Sequence, residues 1–283
     1  MWKALKLTKN KGSFIRKVDY SLPFDTYAIE EANGCLYDCE YCFLKGYLGQ
    51  SDIVVYSNQE DLLNELEMKL KEGKGRRFYL GEYSEPLLIN RFFPYLSNII
   101  EFFRGHPENE LEIRTKSTDV DFLRGVKPPG NVIFAWSLIP EDISKKVERG
   151  VAEIEERIEA MNLLKGLGFR VAVRLEPVIH YDGWKEGYEK LIKKVSFTLD
   201  EPVEMGIFRL TPILRKLIYS RNPDSILLKT EFVMCKDGKL RYPRGIRFQI
   251  YDYILNLLPV RMVNIYMEES FLKESLGVHK FLK

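Results

Sequence analysis

Apolar residues recur along this chain in two alternating rhythms. Runs of strand length are separated by stretches in which leucine and isoleucine return every three or four positions. Leu62, Leu63, Leu66 and Leu70 share one helical face, and Gly73 follows as a stop. Ser57-Asn58-Gln59-Glu60 just before them has the form of a capping box. Leu96, Ile99, Ile100 and Phe103 mark a second helix, ending near Gly105, and Val120 to Leu123 suits a short one. Ile154, Ile158, Met161 and Leu164 mark a longer helix that stops near Gly168; Trp184, Tyr188, Leu191 and Ile192 mark the next. Strands are predicted between these helices at 27–32, 77–82, 111–115, 132–137, 169–175 and 203–210. The fifth strand sets arginines in an otherwise unbroken apolar run, as expected of a buried parallel strand.

Six strands alternating with helices predict an α/β fold with a parallel sheet and helices outside it. Six units are too few to close an eight-unit barrel. The reading is therefore an open six-unit (β/α) partial TIM barrel over 27–210. An N-terminal extension (1–26) precedes it and a C-terminal extension (211–283) packs on it. In the C-terminal extension Ile246, Ile250, Ile254 and Leu257 suggest a helix, Val260 to Met267 a last strand, and Ser270 to Leu276 a short helix. Chemistry in parallel α/β barrels lies at the C-terminal ends of the strands.

Composition narrows the class. A 45% hydrophobic and 13% aromatic content over 283 residues is enough for a sizeable core. The 43 basic and 41 acidic residues nearly cancel, so the net charge of +2 does not by itself argue for nucleic acid. Basic residues cluster locally: Lys3, Lys6, Lys9, Lys11, Arg16 and Lys17; Arg76 and Arg77; and Arg241, Arg244 and Arg247, a candidate phosphate contact. No apolar run approaches a membrane helix and no signal-peptide core opens the chain, so a cytoplasmic location is expected.

The chemistry is concentrated in one loop. Gly34-Cys35-Leu36-Tyr37-Asp38-Cys39-Glu40-Tyr41-Cys42-Phe43 carries three cysteines spaced C-x3-C-x2-C, directly after the first predicted strand. Three thiolates can hold three irons of a [4Fe-4S] cluster and leave the fourth without a protein ligand. A structural zinc site needs four ligands, and the remaining candidates (Cys235, His106, His180 and His279) are far off in sequence. Four cysteines in a chain this long are too sparse for a disulfide frame.

The spacing, with Tyr41 before the third cysteine, resembles the cluster loop of the radical S-adenosylmethionine (SAM) enzymes, in which SAM occupies the open iron. The six-unit pattern is similar to their open barrel. Within that superfamily the chain resembles the spore photoproduct lyases from about Tyr27 to Met267. The likeness rests on the cluster loop followed by Phe43-Leu44, on Ile100-Glu101-Phe102-Phe103, on Glu148-Arg149-Gly150, and on Glu155 to Ala160. Pro177 to Tyr188 is the closest local match, and Tyr242 to Tyr251 a looser one.

The resemblance implies Cys35, Cys39 and Cys42 as iron ligands. Tyr41 would stack beside the adenine, shield the cluster or anchor the loop. Gly81 and Glu82 end the second strand where superfamily members hold the SAM amino group. Ser84 matches a serine near that amine, Lys116 a lysine that pairs with the SAM carboxylate, and Ser137 a serine near the methionine or ribose. Arg174, a charge inside a buried strand, needs a partner, either the SAM carboxylate or Glu176. His180 reads as a hydrogen-bonded loop residue or a general acid–base group.

The lyases return a hydrogen atom to their substrate from a cysteine just after the second strand. The matching position here is Glu82. A tyrosine that follows the third cluster cysteine in the lyases is Phe43 here. Cys235 and Tyr83 are the candidate substitutes for the missing donor. The resemblance thus implies reductive SAM cleavage to a 5′-deoxyadenosyl radical that abstracts hydrogen from substrate. The expected partners are SAM, an electron donor such as flavodoxin or ferredoxin, and DNA if the substrate is a pyrimidine lesion. The rival readings are a radical SAM enzyme for a small molecule or peptide, and a non-catalytic protein that binds SAM and a cluster.

Overall fold

The computed structural model describes residues 4–20, 22, 24–47, 52–196, 201–258 and 263–276. Lys3, His279 and the start of the strand expected at 260–267 lie outside the described residues. The main sheet has eight strands: β1 (Ile15–Val18), β2 (Thr26–Ile29), β3 (Arg77–Leu80), β4 (Glu110–Thr115), β5 (Val132–Ser137), β6 (Arg170–Val178), β7 (Val203–Ile207) and β8 (Val263–Ile265). Neighbours in the sheet follow chain order from β1 to β8. β1 runs antiparallel to β2, while β2–β3, β3–β4, β4–β5, β6–β7 and β7–β8 pair in parallel.

All six predicted strands are present, in a sheet that takes in two more strands. β1 presents Arg16 and Lys17 to solvent, so its sequence reads as a basic segment rather than a strand. That exposure suits an edge strand. β8 is short and pairs with β7 through Val203–Val263 and Met205–Ile265. The strand expected in the C-terminal extension is therefore part of the main sheet.

The chain forms two compact units. One comprises Met1–Tyr37, Gln50–Trp136 and Glu155–Ala172; the other comprises Asp38–Gly49, Ser137–Ile154 and Val173–Lys283. In the first, the helix Gln59–Lys71 buries Leu62, Leu66 and Leu70, and the helix Leu96–Arg104 buries Leu96, Ile99, Ile100 and Phe103. Phe103 meets Phe78 of β3 at 5.6 Å between ring centroids, and Phe78 stacks on Tyr27 of β2 at 5.2 Å. Burial of such a ring contributes about 1.5–3 kcal/mol. A small second sheet is also present: Ile53–Tyr56 pairs with Leu5–Thr8 and with Ala32–Asn33, the segment leading into the cysteine loop.

The capping box at Ser57 does not form. The Ser57 hydroxyl donates to the Thr8 carbonyl at 3.1 Å, and Asn58 stands at the N-cap with its oxygen taken by the Asn10 N–H at 2.8 Å. Tertiary contacts have claimed both cap side chains.

In the second unit, the helix Trp184–Val195 buries Trp184, Tyr188, Leu191 and Ile192. The helix Arg244–Leu257 buries Arg247, Ile250, Tyr251 and Ile254. Its buried stripe therefore includes an arginine. Arg247 donates to the Tyr242 carbonyl at 2.9 Å and pairs with Glu268 and Glu269. In the candidate phosphate group Arg241 pairs with Asp237, while Arg244 reaches Glu269 at 3.4 Å and stays exposed.

Candidate active site

In the first unit the site residues sit where β2, β3 and β4 end. Gly34, just before Cys35, has φ +101°, and a Cβ there would lie 3.0 Å from the Asp52 carbonyl oxygen. Only glycine fits both constraints at this entry to the loop. The Gly34 N–H donates to the Tyr83 carbonyl at 2.9 Å, which ties the loop to the segment after β3. The Arg16 guanidinium lies over the Tyr83 ring at 6.0 Å. Tyr37 hydrogen-bonds Ser117, just beyond β4, and burial pushes its phenol above the usual range.

The segment after β3 is shaped by Gly81, at φ +96°, where a Cβ would overlap the Arg114 carbonyl oxygen. Glu82 then pairs with Arg114, which also reaches Glu112 at 3.2 Å and lies over the Tyr79 ring at 3.8 Å. The Ser84 hydroxyl donates to Glu31, and the Tyr95 hydroxyl reaches the same oxygen at 3.2 Å. The other Glu31 oxygen is buried and has no hydrogen-bond partner among the described residues. Burial pushes the Glu31 carboxyl up from 4.5 to about 7, against the pull of these donors.

Glu85 repeats the theme. Thr115 donates to one of its oxygens and the Lys116 N–H to the other at 2.9 Å. Burial lifts its carboxyl to about 7 as well, with the Thr115 and Lys116 hydrogen bonds and the charges of Lys116 and Arg157 pulling the other way.

In the second unit the loop carrying Cys39 and Cys42 is fastened to the segment Val147–Gly150. The Asp38 N–H donates to the Arg149 carbonyl at 3.0 Å, and the Glu40 N–H to the Val147 carbonyl at 2.7 Å. The Tyr41 hydroxyl donates to Glu148, whose second oxygen takes the Ser144 hydroxyl at 2.7 Å. Tyr41 thus anchors the loop. The Lys45 N–H donates to the Cys42 carbonyl at 3.2 Å as the helix Leu44–Tyr47 begins. Cys39 is buried, Cys35 and Cys42 are half-buried, and all are free thiols.

Among the described residues no group of three His, Cys, Asp or Glu is arranged to hold a single metal ion. In a cubane each thiolate binds a different iron, so its sulfurs stand further apart than ligands crowded around one ion. An all-thiolate donor set on one short loop fits a cluster in kind.

Ser137 is half-buried at the end of β5. Arg174 of β6 is buried and pairs with Glu204 of β7 and, at 2.9 Å, with Glu176, the internal partner left open by the sequence. Arg209 closes the array on Glu176 at 3.2 Å. His180 contacts the Thr230 hydroxyl at 3.0 Å through Nδ1, and burial holds its imidazole below the usual value. Cys235 opens the turn between Val233–Met234 and Leu240–Arg241, its N–H bonded to the Lys239 carbonyl at 2.8 Å.

Glu31, Glu85, Glu148 and Glu204 were not predicted as site residues. Glu204 lies within an apolar run, so the reasoning that flagged Arg174 applies to it equally. Glu31 and Glu85 carry no local signal, since their burial depends on Ser84, Tyr95 and Thr115 from other elements.

Comparison with known proteins agrees with this layout. The chain is 29% identical over 247 residues to spore photoproduct lyase of Bacillus subtilis (strain 168), covering 84% of this chain and 70% of that protein. It is 25% identical over 272 residues to spore photoproduct lyase of Clostridium acetobutylicum, covering 91% and 80%. A solved spore photoproduct lyase double mutant with bound AdoMet and dinucleoside spore photoproduct shares the fold. Its TM-score is 0.78 at 22% identity, over 92% of this chain and 81% of that one. The sequence profile for spore photoproduct lyase matches residues 12–269, and the chain belongs to that family.

Proposed function

We propose that this chain is a radical SAM enzyme acting on a pyrimidine lesion in DNA. The observation that carries the reading is the three-cysteine loop, set after β2 in a chain that matches the spore photoproduct lyase profile over residues 12–269. The β2–β7 strands and their helices correspond to the six units of the radical SAM barrel. Cys35, Cys39 and Cys42 would hold a [4Fe-4S] cluster. When bound, the cluster and SAM supply a 5′-deoxyadenosyl radical formed by one-electron reduction. A reducing compartment and an electron-donor protein are part of this reading.

The chain's own residues supply position and charge. Gly81 turns the backbone at the end of β3, next to the segment expected at the SAM amine. Ser84, fixed by Glu31, presents its hydroxyl lone pairs to a donor. Lys116, fixed through its backbone to Glu85, offers the cation for a carboxylate. Arg174 is engaged by Glu204 and Glu176, so its part is to hold β6 and β7 together, and Lys116 is the residue that matches the lyases' partner of the SAM carboxylate. Tyr41 holds the cysteine loop through Glu148.

One observation favours a second substrate class. At the position where the lyases return hydrogen from a thiol, this chain has Glu82, pinned by Arg114, and Phe43 offers no phenolic hydrogen. A small molecule or peptide whose radical is quenched by other means fits those two changes.

The test is 5′-deoxyadenosine release from SAM by anaerobically reconstituted, dithionite-reduced protein, with and without ultraviolet-irradiated DNA. Release that rises with irradiated DNA supports the lesion reading. Release indifferent to DNA moves the substrate to the second class. Cys39→Ala should lower bound iron and abolish release; full release from that variant would end the cluster assignment.

A further inference from the structure

The helix that leaves the cysteine loop carries an exposed face that the site does not use. Phe43 and Tyr47, just after Cys42, are 45% and 63% exposed. Their short helix packs on the helix Pro212–Arg221. The approach is close: a Cβ on Gly46 would lie 3.4 Å from the Thr211 hydroxyl and 3.5 Å from the Leu214 nitrogen. Leu214 and Ile218 are buried, while Ile213 and Tyr219 remain 61% and 62% exposed.

Charge on these elements is one-sided. The helix Pro212–Arg221 holds Arg215, Lys216 and Arg221 and no acid. Arg215 and Lys216 are exposed and form no ion pair among the described residues. Arg149, whose carbonyl fastens Asp38, is exposed too. On the loop itself Glu40 is buried, and Asp38 is already engaged by Lys45 at 2.5 Å and Arg221 at 3.4 Å. Two other basic groups named above are paired internally, Arg77 with Glu110 and Arg241 with Asp237.

We propose that this face, built from residues 43–47, Arg149 and the helix Pro212–Arg221, docks a small acidic electron-transfer protein. The inference rests on the cluster reading, since the carrier loses one electron to the cluster. Three features select this occupant. The face is part of the cysteine loop's own support, which keeps the transfer path short. Its uncompensated cations suit an acidic partner and would steer encounter. Its exposed apolar side chains Ile213, Tyr47 and Tyr219 suit a small transient protein contact, whereas nucleic-acid surfaces are more polar.

The experiment uses the double variant Arg215→Glu/Lys216→Glu and a flavodoxin as probe. Binding of oxidised flavodoxin is followed by chemical-shift changes on the flavodoxin, and turnover by 5′-deoxyadenosine release. The wild type should bind at low salt and weaken as ionic strength rises. The variant should lose at least tenfold in flavodoxin affinity and raise the KM for flavodoxin-driven release equally. Its dithionite-driven release and its affinity for irradiated DNA should be unchanged. Equal flavodoxin affinity in both proteins overturns the proposal. So does a variant that loses DNA affinity while keeping flavodoxin binding, which would make the face a nucleic-acid surface. Flavodoxin binding is read without turnover, so a wild type silent with dithionite would count against the radical reading alone.

Discussion

Glu31 and Glu85 in the first unit and Glu204 in the second are buried carboxyls, and Glu176 beside Glu204 is half-buried, yet the two pairs are held differently. Glu31 and Glu85 are satisfied mainly by neutral donors: Ser84 and Tyr95 for the first, Thr115 and a backbone N–H for the second. Their carboxyls rise to about 7. Glu204 and Glu176 face the guanidinium groups of Arg174 and Arg209. Neutral donors leave a buried acid able to keep its proton near neutrality, whereas a guanidinium makes a charge-assisted pair with a carboxylate. The first arrangement suits a place that must accept a charged ligand, and the second suits a strut between strands.

Arg174→Ala should give the largest effect, because it leaves Glu204 and Glu176 without their shared cation. A loss of about 3–5 kcal/mol is expected, read as a lowered denaturation midpoint. A loss under 1 kcal/mol would show that the pair is not a strut.

Next is the pH dependence of the first unit. A carboxyl whose folded pKa is raised favours the fold fully below the ordinary carboxylate range. That advantage is lost as the pH climbs through the folded value near 7. Stability should therefore fall between about pH 4.5 and 7 by on the order of 3 kcal/mol for each of Glu31 and Glu85. Asp237, held near 2 by Arg241, acts below this window and in the opposite sense. Urea midpoints against pH read the slope, and Glu31→Gln should flatten it. An unchanged slope in that variant would remove Glu31 from the account.

Gly81→Ala should cost about 2–3 kcal/mol, since it combines a left-handed backbone with a clash against a carbonyl oxygen that cannot move freely. It should also weaken SAM binding more than Gly130→Ala, at a glycine with open space around it. Equal SAM affinity in the two variants would detach Gly81 from the site.

The smallest effect is expected for Tyr41→Phe. Glu148 keeps Ser144 but loses one donor, at about 1–2 kcal/mol. If Tyr41 acts only as the loop's anchor, cluster retention on air exposure should shorten while the fold stays intact.

The six predicted strands and most of their helices were legible because period and run length are local properties. β1 and β8 were not recognised as sheet members: one shows charges to solvent and the other is short, and what makes them strands of this sheet is a paired neighbour. Ser57 misled for the same reason in reverse, a good local cap drawn off by Thr8. In the helix Arg244–Leu257 the stripe turned toward Arg247, because Glu268 and Glu269 make a buried arginine tolerable there.

Sequence alone determined the alternating α/β order and the thiolate set, because both are written in spacing along the chain. Only the tertiary structure decided which charges are shared. Arg174 finds Glu204, Glu82 finds Arg114, and Glu31 loses water to Ser84 and Tyr95, all across elements distant in sequence. Ionisation of a buried group depends on what encloses it, and enclosure is a property of the packed chain.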